Sequence, residues 1–488
     1  MKKIISVISI ILIIIIPLQS FAINVPGYEG GIQNENTYKE VIFVTGEPIV
    51  MEGTLTVKTK EKDNTVTEQY TYKLKNVAKD AELSRKIKMI ETLNTNGNQT
   101  SSSKTLDSYD EKIEIGDKEY EVEDEDYQWN QGSISTDTPL NSYYAGDWSG
   151  RKTYVVDKSN EVVNVETTGS LVGYDSPWSA TETQTVHMTV NYENKEAAGI
   201  KWGGSATIET SYNRTKDYAY GENPVKQISF SGGYRITEKE ENVLKYSYDL
   251  PNIKNNAVSK GRNTGTNSFS LDTNPIITRL NIPEVRDVEG HPYEDAILLL
   301  ASMGAFPLNS TSLGPDSPMS RGEFAKAICL SMGVEPEREE ETTSSRRKKN
   351  QAVKVPTYTD VGKTHTYYPY IEGVTKRGIM EGVGKGRFDP NRALTKAEAT
   401  TIIIRLLGFK SLAPIGNYYT GYTDDKNIPL WAKDSIYVAK ELGIIERGGY
   451  FYPNKEITKG EAAELLVNFI NYLQNNLKYD YRENILNN

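Results

Sequence analysis

At three places in the last third of the chain, a serine or threonine is followed directly by a lysine or arginine. In each copy a glutamate comes three positions after the hydroxyl residue, and an apolar run with helical spacing follows. Serine or threonine at this distance from glutamate is typical of a capping box at a helix start. In this box the side chain of each residue accepts a hydrogen bond from the backbone amide of the other. The predicted caps are Ser320, Thr395 and Thr458 with Glu323, Glu398 and Glu461.

The cation itself is the unusual part of this motif. Arg321, Lys396 and Lys459 each fall on the first helical turn, where the helix dipole is already positive. A local rule that is broken in all three copies suggests a function. Free helix amides beside a cation could bind an anion, preferably a carboxylate or a phosphate. The alternative is that each cation only pairs with a nearby acid such as Asp287.

The motif belongs to an internal repeat that must position it. Each copy begins with an aspartate, continues with a short helix that ends at a glycine, and reaches the capped helix through a proline-containing loop. The predicted repeats are 284–334, 357–410 and 420–473. A charged insert loop is predicted at 335–356, and a polar tail at 474–488.

These repeats resemble S-layer homology domains. The resemblance rests on the capped-helix motif, an Asp-Val start, a Gly-Ile turn and a Phe-x-Pro loop, seen in Asp360-Val361, Gly378-Ile379 and Phe388-Asp389-Pro390. It implies an all-α, pseudo-threefold bundle of three repeats. It also implies that the grooves between repeats hold a secondary cell-wall polysaccharide, often capped by a pyruvate ketal, which is a carboxylate.

The resemblance also implies roles for single residues. Arg321, Lys396 and Lys459 would bind the carboxylate, although lysine offers a point charge where the family usually has the fork of arginine. The repeat-opening aspartates Asp287, Asp360 and Asp424 would bind sugar hydroxyls or structure the groove. Flat faces for sugar rings would come from Trp431, Tyr293 and Tyr368.

The N-terminal half reads differently. Residues 23–250 alternate apolar and polar side chains between turn residues, which predicts an antiparallel, sandwich-like all-β region of one or two domains. Within it, Ala81 to Leu93 fits a strand imperfectly, and a helix stays open. Residues 251–283 lose the alternation and are predicted to be a linker, with an irregular crossing strand as the alternative. The predicted fold is therefore multi-domain, with a β-rich region followed by a helical bundle.

The chain start and the overall charge bear on location. Lys2 and Lys3, the apolar run Ile4 to Ile16 and a small-residue cleavage site ending at Ala22 predict a signal peptide over 1–22, with an uncleaved anchor as the alternative. The net charge is −10 for 488 residues, which disfavours nucleic acid as a partner. We therefore expect a secreted protein of the cell wall or S-layer, without a membrane segment after cleavage.

No catalytic residue, metal site or cofactor is predicted. His187, His291 and His365 have no partner at metal-ligand spacing, and common nucleophile and phosphate-binding motifs are absent from the sequence. The acidic run from Glu119 to Asp126 could bind Ca²⁺, but a solvated strand edge is the simpler interpretation. Cys329 is predicted to be a small buried hydrophobe.

The sequence thus predicts non-covalent attachment to secondary cell-wall polysaccharide, with the β-rich region displayed outside. Other surface proteins, or further copies of this chain, could be additional partners. The alternatives are a wall-anchored glycan hydrolase with its carboxylates in the β region, and a subunit of an S-layer lattice.

Overall fold

The computed structural model describes residues 30–196, 200–221, 232–254, 257–306, 311–337 and 355–481. The predicted signal peptide lies outside these residues, as do residues 338–354 of the charged insert. Among the described residues, none of the helices combines the length and the apolar character needed to cross a membrane.

The N-terminal half is one large antiparallel sheet. Its strands are β1 (Ile32–Gln33), β2 (Tyr38–Ile42), β3 (Ile49–Lys62), β4 (Thr65–Asn76), β5 (Ala81–Asn96), β6 (Gln99–Ile115), β7 (Lys118–Val122), β8 (Tyr127–Asp137), β9 (Ser142–Val156), β10 (Glu161–Asp175), β11 (Ser179–Asn194), β12 (Lys201–Gly221), β13 (Gly233–Lys254), β14 (Ala257–Asp272) and β15 (Ile276–Asn281). Hydrogen-bonded neighbours run from β1 to β7, then from β9 to β14, while β8 joins β6 and β9, and β15 joins β13. The predicted antiparallel all-β region is confirmed.

Most of the buried apolar residues of this sheet form one core. The Asn34 side chain, just after β1, donates to the backbone carbonyl of Asp272 at the end of β14 (3.3 Å), so β1 and β14, at the two ends of the hydrogen-bonded order, lie close together. The core also contains charges. Arg85 bridges Glu40 (2.8 Å) and Glu111 (3.0 Å), and Lys152 also reaches Glu111 (3.1 Å). Burial alone would raise the pKa of Glu111, but the two cations lower it to about 2.

Two predictions for this half need comment. The segment 251–283 is not a linker but follows the strand alternative, because the end of β13, then β14 and β15, occupy most of it. These strands expose most of the side chains described for them, so they need no apolar alternation and resemble a loop in composition. Ala81 to Leu93, which left helix and strand open, is strand β5.

The C-terminal part contains three two-helix repeats, as predicted. Their helices are α1 (Glu294–Ser302) and α2 (Arg321–Met332), then α3 (Tyr368–Lys376) and α4 (Lys396–Leu407), then α5 (Leu430–Glu441) and α6 (Lys459–Asn475), with a short α7 (Leu477–Asp480). The prediction of a polar tail at 474–488 is wrong for residues 474–481. These continue α6, form α7 and bury Leu477 and Tyr481.

The two halves are packed on each other. Tyr143, Tyr174 and Trp178 of the β region share one apolar core with the helices. Side chains of the β region also donate to backbone carbonyls in the last turn of each second helix: Trp178 to Ser331 (3.0 Å), Thr138 to Leu406 (3.1 Å) and Ser179 to Leu473 (2.5 Å). The β region therefore covers the C-terminal ends of α2, α4 and α6.

Candidate functional site

The starts of the three second helices form a closed ring at the opposite end of the bundle. All three predicted capping boxes are present, with each glutamate amide 3.2–3.3 Å from the cap oxygen. The first two amides of each helix donate to loop carbonyls of the next repeat. These bonds run from Arg321 to Arg392 and Gly322 to Pro390, from Lys396 to Lys455 and Ala397 to Pro453, and from Lys459 to Ser317 and Gly460 to Pro315, at 2.8–3.1 Å.

This ring corrects one prediction. Free helix amides were expected to help bind an anion, but the first three amides of α2, α4 and α6 are already bonded within the protein. A buried amide gives up such a bond only at a cost. Any contact with an anion at these helix starts would therefore have to come from side chains.

The repeat-opening aspartates hold the loops that line the grooves. Asp360 accepts the amides of Phe388 (2.9 Å) and Asp389 (2.8 Å), and Asp424 accepts those of Phe451 and Tyr452 (both 2.8 Å). Asp287 does the same in the first repeat, where its carboxylate accepts the hydroxyl of Ser312 and the backbone amides of Leu313 and Gly314. Burial would raise the pKa of Asp287, but these hydrogen bonds lower it to about 2. Of the two roles considered, this geometry is that of structuring the groove.

The three motif cations differ in the hydrogen bonds and salt bridges that they make within the protein. Arg321 is buried, donates to the carbonyls of Phe388 (2.9 Å) and Glu381 (2.6 Å), and lies 4.6 Å from the centre of the Phe388 ring. Lys459 pairs with Glu323 (3.0 Å) and donates to the carbonyl of Leu313 (3.2 Å). Both cations therefore join one repeat to the next.

Lys396 is the exception. Its ammonium lies 5.5 Å from the centre of the Phe451 ring, and it has no hydrogen bond or ion pair with any other residue that the structure describes. Its side chain is half-buried. An ammonium has three donors, so Lys396 can bind an anion without breaking a contact inside the protein.

The predicted aromatic residues are placed unequally. Trp431 is 51% exposed in the first turn of α5, and Tyr293 is half-buried at the start of α1. Tyr368 is only 4% exposed, so it offers no face to a ligand, and that prediction is wrong. Tyr367, one residue earlier, takes the position before α3 that Tyr293 takes before α1.

Small residues next to the cations explain where these tyrosines lie. A Cβ on Gly322 would come within 2.5 Å of the Tyr367 ring, and one on Gly460 within 2.6 Å of the Tyr293 ring. The third copy has Ala397 instead, in an apolar cluster that includes Ala432. The glycine in two of the three motif copies was the signal that could have identified Tyr367.

The histidines, the acidic run and Cys329, which were considered as possible sites, have contacts that explain them as parts of the fold. Among the described residues there is no group of three or more side chains that could hold a metal ion. The rings of His291 and His365 accept the amides of Tyr293 and Tyr367 (3.2 Å each). In the acidic run, Glu119 pairs with Lys112 (2.6 Å). Cys329 is buried as predicted, and its burial raises the pKa of the thiol to about 12.

Comparison with known proteins agrees with the helical repeats. The family model described as the S-layer homology domain matches residues 286–325, 357–400 and 421–463. The chain carries three S-layer homology domains. Domains of this family indicate association with the cell surface and cell wall.

Curated relatives share a limited stretch with the chain. It is 32% identical over 122 residues to an endoglucanase of Bacillus sp. (strain KSM-635), covering 25% of this chain and 12% of that protein. It is 29% identical over 184 residues to an amylopullulanase of Thermoanaerobacterium thermosulfurigenes, covering 37% and 9%. It is 26% identical over 176 residues to a cell surface protein of Thermoanaerobacter kivui, covering 36% and 19%. The chain thus spans less than a fifth of the length of each of these relatives.

Proposed function

We propose that the S-layer homology domains attach this protein non-covalently to an acidic secondary cell-wall polysaccharide, without turnover, and that the β region is displayed outside. The proposal takes the acidic group to be a carboxylate such as a pyruvate ketal. Its main support is Lys396, a half-buried cation at the ring of helix starts whose ammonium makes no hydrogen bond or salt bridge among the described residues.

The three grooves should contribute unequally to binding. An anion at Arg321 must compete with two carbonyls, and one at Lys459 must compete with Glu323. The Lys396 ammonium donates to no acceptor among the described residues, so an anion there displaces no hydrogen bond of the protein, although the charge of Lys396 also acts on the nearby carboxylates Glu461 and Glu464. Hydrogen bonds to charged groups contribute about 1.5–3 kcal/mol, so a carboxylate should bind most tightly at the groove between the second and third repeats.

The test is sedimentation of the secreted chain with purified cell walls. Lys396→Ala should weaken wall binding by roughly ten- to a hundredfold, from the same range of 1.5–3 kcal/mol, with little change in thermal unfolding. Arg321→Ala is the matched variant at the equivalent position. It should lower the unfolding temperature, because its guanidinium ties the first repeat to the second.

Two outcomes would count against the proposal. The first is wall binding by Lys396→Ala that equals that of the unchanged protein. The second is binding by the unchanged protein that survives chemical removal of the polysaccharide. The hydrolase alternative is tested in the same samples, since release of new reducing ends from wall glycan would contradict a role without turnover.

A further inference from the structure

The third repeat differs from the other two at the groove that contains Lys396. Its loop reads Tyr450-Phe451-Tyr452-Pro453, and both tyrosines are 56% exposed. Their rings stack on each other, with centres 5.5 Å apart and planes 20° from parallel. Exposed aromatic rings that lie together are candidates for contact with a ligand.

The equivalent positions in the other repeats carry no ring. They hold Ser312 and Gly314 in the first repeat, and Arg387 and Asp389 in the second. Those residues serve their own loops: the Ser312 hydroxyl donates to Asp287 (2.6 Å), and Arg387 lies 3.6 Å from Asp360. The exposed ring pair therefore occurs in one loop of the three.

The conformation of Tyr452 adds to this contrast. Its φ is +57°, where the first repeat has glycine and the second has aspartate. A bulky residue in this region is strained. Glycine would suit the loop better, so the tyrosine ring is not explained by what the loop needs.

The ring pair adjoins the available cation. Phe451, between the two tyrosines, packs under the Lys396 ammonium at 5.5 Å. Pro453, directly after Tyr452, accepts the amide of Ala397 (3.1 Å). The loop with the two exposed rings therefore contacts the start of the helix that carries Lys396.

We infer that Tyr450 and Tyr452 form a stacking subsite for sugar rings, beside the carboxylate subsite at Lys396. The carbon-bound hydrogens on the face of a pyranose ring pack against an aromatic face, and each tyrosine hydroxyl can bond to a sugar hydroxyl at the ring edge. This groove would then recognise a sugar ring and its acidic substituent together. The inference rests on the proposed function, since it assigns a second part of the same ligand.

The experiment is calorimetry of the secreted chain with purified wall polysaccharide, before and after chemical removal of its carboxylate ketals. Tyr450→Ala combined with Tyr452→Gly removes both rings and relieves the strain at the second position. We expect the affinity of this double variant for either polymer to be lower than that of the unchanged chain by at least about tenfold. Tyr419→Ala, at another exposed tyrosine (62%), is the control and should bind as the unchanged chain does.

Lys396→Ala distinguishes the two proposals. Its effect should be large on the intact polymer and small after the ketals are removed, whereas the loss in the double variant should persist. Normal polymer binding by the double variant overturns the stacking subsite and leaves the proposed function standing. Normal binding of intact polymer by Lys396→Ala overturns the proposed function instead.

Discussion

Adding one methyl group at Gly322 tests the packing that closes the groove between the first and second repeats. The Cβ of Gly322→Ala would lie 2.5 Å from Cδ2 and 3.0 Å from Cγ of Tyr367, and 3.1 Å from the carbonyl oxygen of Pro390. That carbonyl also accepts the Gly322 amide at 2.8 Å. The helix start cannot move away from the ring without lengthening this bond.

Two effects of this substitution oppose each other. Alanine is favoured over glycine within a helix by about 1 kcal/mol, and by less in the first turn, where fewer backbone bonds depend on it. Overpacking costs about 1–3 kcal/mol. Because the ring and a bonded carbonyl are both in the way, we expect the second effect to win, with a net loss of about 1–2 kcal/mol.

Urea unfolding of the full chain gives this loss directly, and two further variants control it. Gly322→Ala combined with Tyr367→Ala copies the arrangement of Ala397 and Ala432 in the third repeat, so it should recover part of the loss. Ala397→Gly should destabilise, since no ring fills the space there. A Gly322→Ala chain as stable as the unchanged one would refute the close packing of α2 on Tyr367.

Two further predictions concern the β region. Burial raises the pKa of Glu182 from its ordinary 4.5 to about 7, against hydrogen bonds from Gln184 and Tyr144 that lower it. The folded chain then keeps a proton that the unfolded chain releases, so stability should fall as the pH rises from about 4.5 to 7; Glu182→Gln should flatten this slope in urea unfolding, and an unchanged slope contradicts the assignment. Trp178→Ala removes a buried indole between the two halves and should cost about 3–5 kcal/mol, splitting calorimetric unfolding into two transitions, whereas one unshifted transition contradicts tight docking.

The parts of the fold that the sequence predicted are those with local causes. A capping box is complete within four residues, so Thr395 and Glu398 determine a helix start without help from the rest of the chain. Three copies in one sequence also fix the register of the repeats. Strands such as β4, β11 and β13 were visible because one face of each strand is buried for much of its length, which forces apolar alternation.

The parts that were missed depend on distant partners. Strand β14 exposes most of its side chains, so its sequence carries little alternation and resembles a linker. The helix amides were expected to be free because their acceptors, such as Pro390 and Pro453, belong to other repeats. Tyr367 was confused with Tyr368 because no side chain caps the start of α3, and Pro369, the second residue of that helix, marks its start only to within a residue.

The unequal use of the three cations has a cause that the sequence does contain. The capping glutamates Glu398 and Glu461 are each paired with a cation six residues earlier, Arg392 (2.6 Å) and Lys455 (2.7 Å). The equivalent residue in the first repeat is Ser317, which is neutral, so Glu323 takes Lys459 as its partner instead. Lys396 faces a glutamate that already has a partner, and this leaves its ammonium available.

The two ends of the second helices have different tasks in this arrangement. Their N-terminal ends form the ring with the three cations, and their C-terminal carbonyls accept hydrogen bonds from the β region. A helix of 12 residues, such as α4, is about 18 Å long at 1.5 Å per residue. If the ring binds wall polymer as proposed, the β region is held at the far end of these helices through a shared core. Attachment then also fixes the orientation of the β region relative to the wall, which a flexible linker would not do.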